Sequence, residues 1–133
     1  MQILPFLAAG ILATLGLLHL SHTVTDLLLE PRYFGPRDAS LLADMRATRL
    51  AMAPAGRDYW SVILGFNLSH SIGVLLFALL IVLANQHEIG WLKVLLVVLG
   101  GVFTWIAWRF WFHVPMYGCA AATALMLAGW TLR

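Results

Sequence analysis

Four of the five histidines, His19, His22, His70 and His113, lie inside or at the ends of long apolar runs, in company with Asn67 and Arg109. Histidine is the usual general acid or base near neutral pH and a common metal ligand. Three chemistries are therefore open. In the first, the polar groups line a cavity for a lipophilic small molecule, or serve an accessory subunit of a larger membrane complex, without catalysis. In the second, His70 acts as acid or base on a lipid-like or quinone-like substrate, with Asn67 as orienting donor and Arg109 as anion binder. In the third, His19, His22, His70 or His113 holds a metal, because neutral imidazole suits Zn, Cu and Fe. The metal pattern is weak: His19 and His22 are three apart, and no carboxylate-rich motif joins them. A haem needs two histidines at similar depth on facing helices, or one axial ligand. No catalytic signature of known spacing is present, so the first role is the expectation, and no cofactor is assigned.

Each residue also has a structural account. Arg109 can anchor in the headgroup region or stack on an indole, and Trp105 is one turn away. His113, beside a turn, can be solvated. Asn67 can hydrogen-bond across helices, worth ~1 kcal/mol in a membrane. His70 is hardest to explain in this way. Ionisable residues inside a span usually face the protein interior or a water-filled cavity, and are functional candidates by default.

The elements that must position these groups follow from composition. The 133 residues are 62% hydrophobic and 11% charged, with a mean hydropathy of +0.88. Soluble domains carry about 25% charge. Long stretches lack Asp, Glu, Lys and Arg altogether: 1–25, 59–87, 94–108 and 110–132. Runs of ~18 apolar residues cross a bilayer as helices, since any other backbone would leave polar groups unsatisfied in lipid. Four spans are expected, at about 3–24, 59–84, 91–112 and 116–132, giving an all-α integral membrane four-helix bundle in one domain. The continuous runs do not alternate as barrel strands do. No basic segment precedes the first run, so a cleaved leader is not expected. The single Cys119 makes no internal disulfide. A net charge of +2 is too small to suggest nucleic acid.

The polar loop 26–58 is expected to hold a short interfacial helix. Asp38 is a good N-cap type, and residues 39–53 are rich in helix formers, with Leu41, Leu42, Met45 and Met52 near one face. His113-Val114-Pro115 is expected to be the tight connection between the third and fourth spans. Arg32, Arg37, Arg46, Arg49 and Arg57 in the loop, with Arg109 near the same face, outnumber Lys93 and Arg133 opposite. The positive-inside rule therefore places loop 26–58 in the cytoplasm and both termini outside. Ala120, Ala124 and Ala128, and Ala9, Ala13 and Gly16, form small-residue faces that allow close helix packing. Such faces serve a single bundle, a homo-oligomer or a larger complex equally well.

On this layout the polar groups share one membrane half. Asn67 and His70 lie roughly 12 and 16 Å along the second span from Tyr59. His19 and His22 sit near the loop end of the first span, with Asp26 a turn further on. The depths of His19 and His70 are expected to differ by several ångströms. Gly65-Phe66-Asn67-Leu68-Ser69-His70-Ser71-Ile72-Gly73, followed by Arg109-Phe110-Trp111-Phe112-His113-Val114-Pro115, resembles a family of small bacterial four-span membrane proteins. Its members carry a Phe-Asn-x-Ser-His stretch in the second span and an aromatic-Pro stretch closing the third. The resemblance implies a bacterial inner-membrane protein of this architecture. It singles out Asn67 and His70 and carries no activity with it. The Glu, Arg and Asn set of glutathione-dependent membrane enzymes and the paired cysteines of quinone-linked disulfide enzymes are absent.

Overall fold

An apolar run without water to compete for its backbone groups becomes helix, and here helix extends past the apolar limits wherever polar side chains satisfy themselves locally. The computed structural model describes residues 3–132. Its helices are α1 (Ile3–Leu28), α2 (Ala39–Ala47), α3 (Tyr59–Gln86), α4 (Gly90–Phe110) and α5 (His113–Thr131). Among the described residues there is no strand, only an isolated bridge between Arg49 and Asp58. α1, α3 and α4 are long and apolar enough to cross a membrane. α5 has 19 residues, a reach of ~28 Å, but His113, Pro115 and Tyr117 leave its first turns less apolar.

α1 runs four residues beyond the expected end at Val24. The hydroxyls of Ser21, Thr23 and Thr25 donate back to the carbonyls of Leu18, His19 and Ser21, so polar residues continue the helix without exposing unmet groups. After Leu28 the chain folds back onto Asp26. Its carboxylate accepts the backbone N–H groups of Arg32 at 2.7 Å, Tyr33 at 3.1 Å and Phe34 at 2.7 Å.

α2 is shorter than the expected 39–53. Asp38 caps it, accepting the Ser40 N–H at 2.8 Å. The helix stops at Ala47 because Thr48 takes an extended conformation, and its carbonyl accepts the Tyr59 N–H at 2.9 Å. The closure of this loop onto the start of α3 overrides local propensity. No α2 residue is buried, and Met52, expected on its apolar face, is 90% exposed beyond its end.

Asp58 caps α3. Its carboxylate accepts the Ser61 hydroxyl at 2.7 Å and the Ser61 N–H at 2.9 Å. These bonds, the hydroxyl foremost, hold the Asp58 carboxyl below the usual carboxylate range.

The connection between α4 and α5 is Trp111-Phe112, not His113-Val114-Pro115. Pro115 lies in the first turn of α5, where the N–H it lacks would have had no helical partner. The turn between α3 and α4 places Glu88 at φ 51°, in the left-handed region that favours glycine.

By compactness the chain divides into two units. The first comprises residues up to Leu17 and from Gly73 onward; the second is Leu18–Ile72. The first unit has an apolar core that includes Ala8, Leu12, Phe77, Ile81, Leu96 and Met126. Its helices approach closely at glycine. A Cβ on Gly100 would stand 2.5 Å from Thr123 Oγ1, and one on Gly118 or Gly129 would collide with Leu15 or Pro5. The buried side of α5 is Ala122, Met126 and Gly129, with Ala124 exposed. The expected Ala120/Ala124/Ala128 face is therefore not the packed one.

Candidate functional site

The second unit brings three of the sequence-predicted residues together. His19, on α1, points its Nε2 at the Asn67 Oδ1 of α3, 3.0 Å away. The His70 ring, one turn beyond Asn67, meets the His19 ring edge-on with centroids 5.2 Å apart. The expected depth difference between these histidines disappears because α1 continues to Leu28. His19 then lies nine residues, about 14 Å, from its helix end, close to the ~16 Å of His70 from Tyr59.

The protonation pattern at His19 follows from its partner. Asn67 Nδ2 donates to the Ile63 carbonyl at 3.0 Å, which fixes the amide with Oδ1 toward His19. An amide oxygen only accepts, so His19 Nε2 carries the proton and, in the neutral ring, Nδ1 keeps its lone pair. Thr23 and Ser71, both buried, reinforce the two helices from below. Thr23 Oγ1 donates to the His19 carbonyl and Ser71 Oγ to the Asn67 carbonyl, each at 2.8 Å. Each polar residue thus has a hydroxyl one turn further on that takes up its own carbonyl.

Aromatic rings surround the cluster. Phe34, from the loop that Asp26 folds back, lies 4.7 Å from the His19 ring, and Phe66 stacks on His70 with centroids 6.3 Å apart. His22 is not directed at His19 or His70. It stacks on Tyr33 at 4.0 Å and 17°. Tyr33 and Phe34 went unnoticed in the sequence reading. A signal for them exists in the aromatic pair between Pro31 and Pro36, a few residues after an Asp placed to bind their N–H groups.

Trp105, Arg109 and His113 fall in the first unit, and all three are exposed. The Arg109 guanidinium lies over Phe110 at 5.2 Å, not on the indole of Trp105. Trp105 meets the same Phe110 edge-on at 6.1 Å, and His113 stacks on Tyr117 at 6.1 Å.

The groups that meet in the second unit are two imidazoles and a carboxamide, none with a fixed charge. Asp26, the nearest carboxylate along α1, is taken up by backbone N–H groups. Such a cluster can donate to and accept from a neutral polar head, or pass a proton between rings. Among the described residues no three His, Cys, Asp or Glu side chains gather as a metal site. No family model, curated protein or solved structure is found to match the chain.

Proposed function

We propose that the chain is an integral membrane four-helix protein that binds a lipophilic small molecule through a neutral polar head at His19, Asn67 and His70. α5 serves as the fourth span, the loop holding α2 faces the cytoplasm and both termini lie outside, as the basic residues indicate. The observation that carries the binding reading is the His19–Asn67 hydrogen bond with the His70 ring 5.2 Å from His19, deep along two apolar helices. Polar groups at such depth cost free energy, and one hydrogen bond across helices would be enough for packing. A second imidazole and two flanking phenyl rings go beyond that need. They match a head that offers hydrogen-bonding oxygen atoms on an apolar body, as a quinone-like or hydroxylated lipid-like molecule does.

The paired imidazoles favour a second reading, a membrane enzyme with His70 as acid or base. His19, held as the Nε2–H tautomer, would orient the reacting molecule.

Purification in nanodiscs, followed by native mass spectrometry, metal analysis and an absorption spectrum, tests the binding reading. A retained small molecule that is lost in Asn67→Ala and His70→Ala supports it. A retained metal or chromophore would make the site a metal or haem centre instead. An empty protein with stoichiometric partner chains would make the cluster packing glue in an accessory subunit.

A further inference from the structure

A separate feature of the first unit joins a buried ion pair to an apolar groove. Lys93, in the first turn of α4, is only 7% exposed, and its Nζ is 2.6 Å from Glu88 Oε2. The same ammonium lies 5.8 Å from the centre of the Trp130 ring, whose Nε1–H donates to Asn85 Oδ1 at 3.0 Å. Glu88 occupies the left-handed position of the turn, at φ 51°, while Ile89 N–H donates to the Ala84 carbonyl at 3.1 Å. Turns that close a helix in this way take glycine by preference, because a Cβ is strained there. A glutamate in that place indicates that its carboxylate is needed at this point of the surface.

The groove begins at this pair and has a volume of about 530 Å³. Val94, Val97 and Val98 of α4 and Leu127 of α5 form its walls, with Trp130 and Thr131 at the polar end. α4 and α5 touch tightly at Gly100, so the groove occupies the stretch between that contact and the turn. From Gly90 to Val98 it follows the helix for about 12 Å. Its polar end carries one cation and one anion side by side, and its apolar end points along the helices that cross the membrane.

We infer that this groove binds one phospholipid with a zwitterionic headgroup: a phosphate facing Lys93, an ammonium facing Glu88, and an acyl chain along Val94, Val97, Val98 and Leu127. The charges are complementary group by group. Lys93 has three N–H donors and gives one to Glu88, which leaves donors for a phosphate oxygen. Glu88 is half-exposed at the mouth and accepts the lipid ammonium through its carboxylate. Trp130 lies where indoles concentrate, at the headgroup level. An anionic lipid would place its phosphate beside Glu88 without a compensating cation, so the pair selects against it.

Native mass spectrometry of delipidated protein titrated with phosphatidylethanolamine or phosphatidylglycerol tests this inference. The wild-type protein is expected to hold one phosphatidylethanolamine at least tenfold more tightly than phosphatidylglycerol. Glu88→Gln keeps the size of the side chain and removes the anion, so the preference should fall to near parity or reverse. Val97→Trp fills the groove away from the ion pair and should abolish the single tight site for both lipids. A circular dichroism spectrum and thermal transition like the wild type's keep both variants interpretable. Equal affinity for the two lipids in the wild type, an unchanged preference in Glu88→Gln, or retention of the tight site in Val97→Trp would each overturn the assignment.

Discussion

Replacing Asp26 by alanine would release the loop that brings Phe34 and Tyr33 to the histidines. Asp26 is 2% exposed, and its carboxylate accepts three successive backbone N–H groups, two of them at 2.7 Å. Hydrogen bonds to a charged acceptor contribute about 1.5–3 kcal/mol each, and they are not additive when they share one carboxylate. A local loss of ~2–4 kcal/mol is the expected scale, which corresponds to a roughly 30- to 1,000-fold rise in opening of residues 32–34. Hydrogen exchange in nanodiscs reads this directly, because amides in a local unit report its opening free energy. Arg32, Tyr33 and Phe34 should lose protection while the amides of Leu12–Gly16 keep theirs. Trypsin should cut at Arg32 faster in the variant. With Phe34 no longer held 4.7 Å from His19, any ligand at the cluster should bind more weakly. Unchanged exchange at residues 32–34 would show that the carboxylate does not hold the loop, and the account of how the site is built would fail.

Other expectations follow from the same contacts. Gly100→Ala should destabilise the α4–α5 pair by about 1–3 kcal/mol in a reversible detergent unfolding titration, since its methyl would meet Thr123 Oγ1, itself held by the Cys119 carbonyl. Gly118→Ala should cost less, because the atom it meets is the far end of a leucine side chain. A double-mutant cycle of His19→Ala with Asn67→Ala should give a coupling of ~0.5–1.5 kcal/mol, the range of hydrogen bonds between membrane helices. A coupling of zero would mean that the two side chains do not meet. The Asp58 cap predicts a pH dependence. Its carboxyl is depressed in the folded chain, so its contribution is complete above the usual carboxylate range and fades as pH falls through the folded value. Once intrinsic exchange rates are corrected for, protection at the start of α3 should be flat from pH 7 to about 5 and decline below about 4. Asp58→Asn should remove the decline.

Hydropathy made the long helices legible, because in lipid an apolar run has no other way to satisfy its backbone. The helix ends were less visible. α1 passes through His22, Thr25 and Asp26 because hydroxyls bond back one turn and Asp26 finds its partners eight residues ahead, and neither effect shows in a hydropathy window. α2 ends early because Thr48 pairs with Tyr59, a contact set by loop closure and not by propensity. At the site, the residue types and the spacing of Asn67 and His70 were enough to mark α3. That His19 rather than His22 meets them depends on helix rotation, which periodicity gives only loosely. The aromatic neighbours Phe34 and Tyr33 depend on a loop fold that only the Asp26 bonds explain. The Lys93–Glu88 pair was hidden for a similar reason: an ordinary-looking turn sequence does not reveal a left-handed glutamate.

The central claim is that His19, Asn67 and His70 form a binding site for a lipophilic molecule with a neutral polar head. Native mass spectrometry of the protein released from nanodiscs, wild type beside Asn67→Ala and His70→Ala, tests it most directly. The account predicts one retained small molecule in the wild type, absent from both variants, with all three proteins folded and equally abundant. A wild-type protein without a ligand, or a ligand held equally by all three, would contradict it.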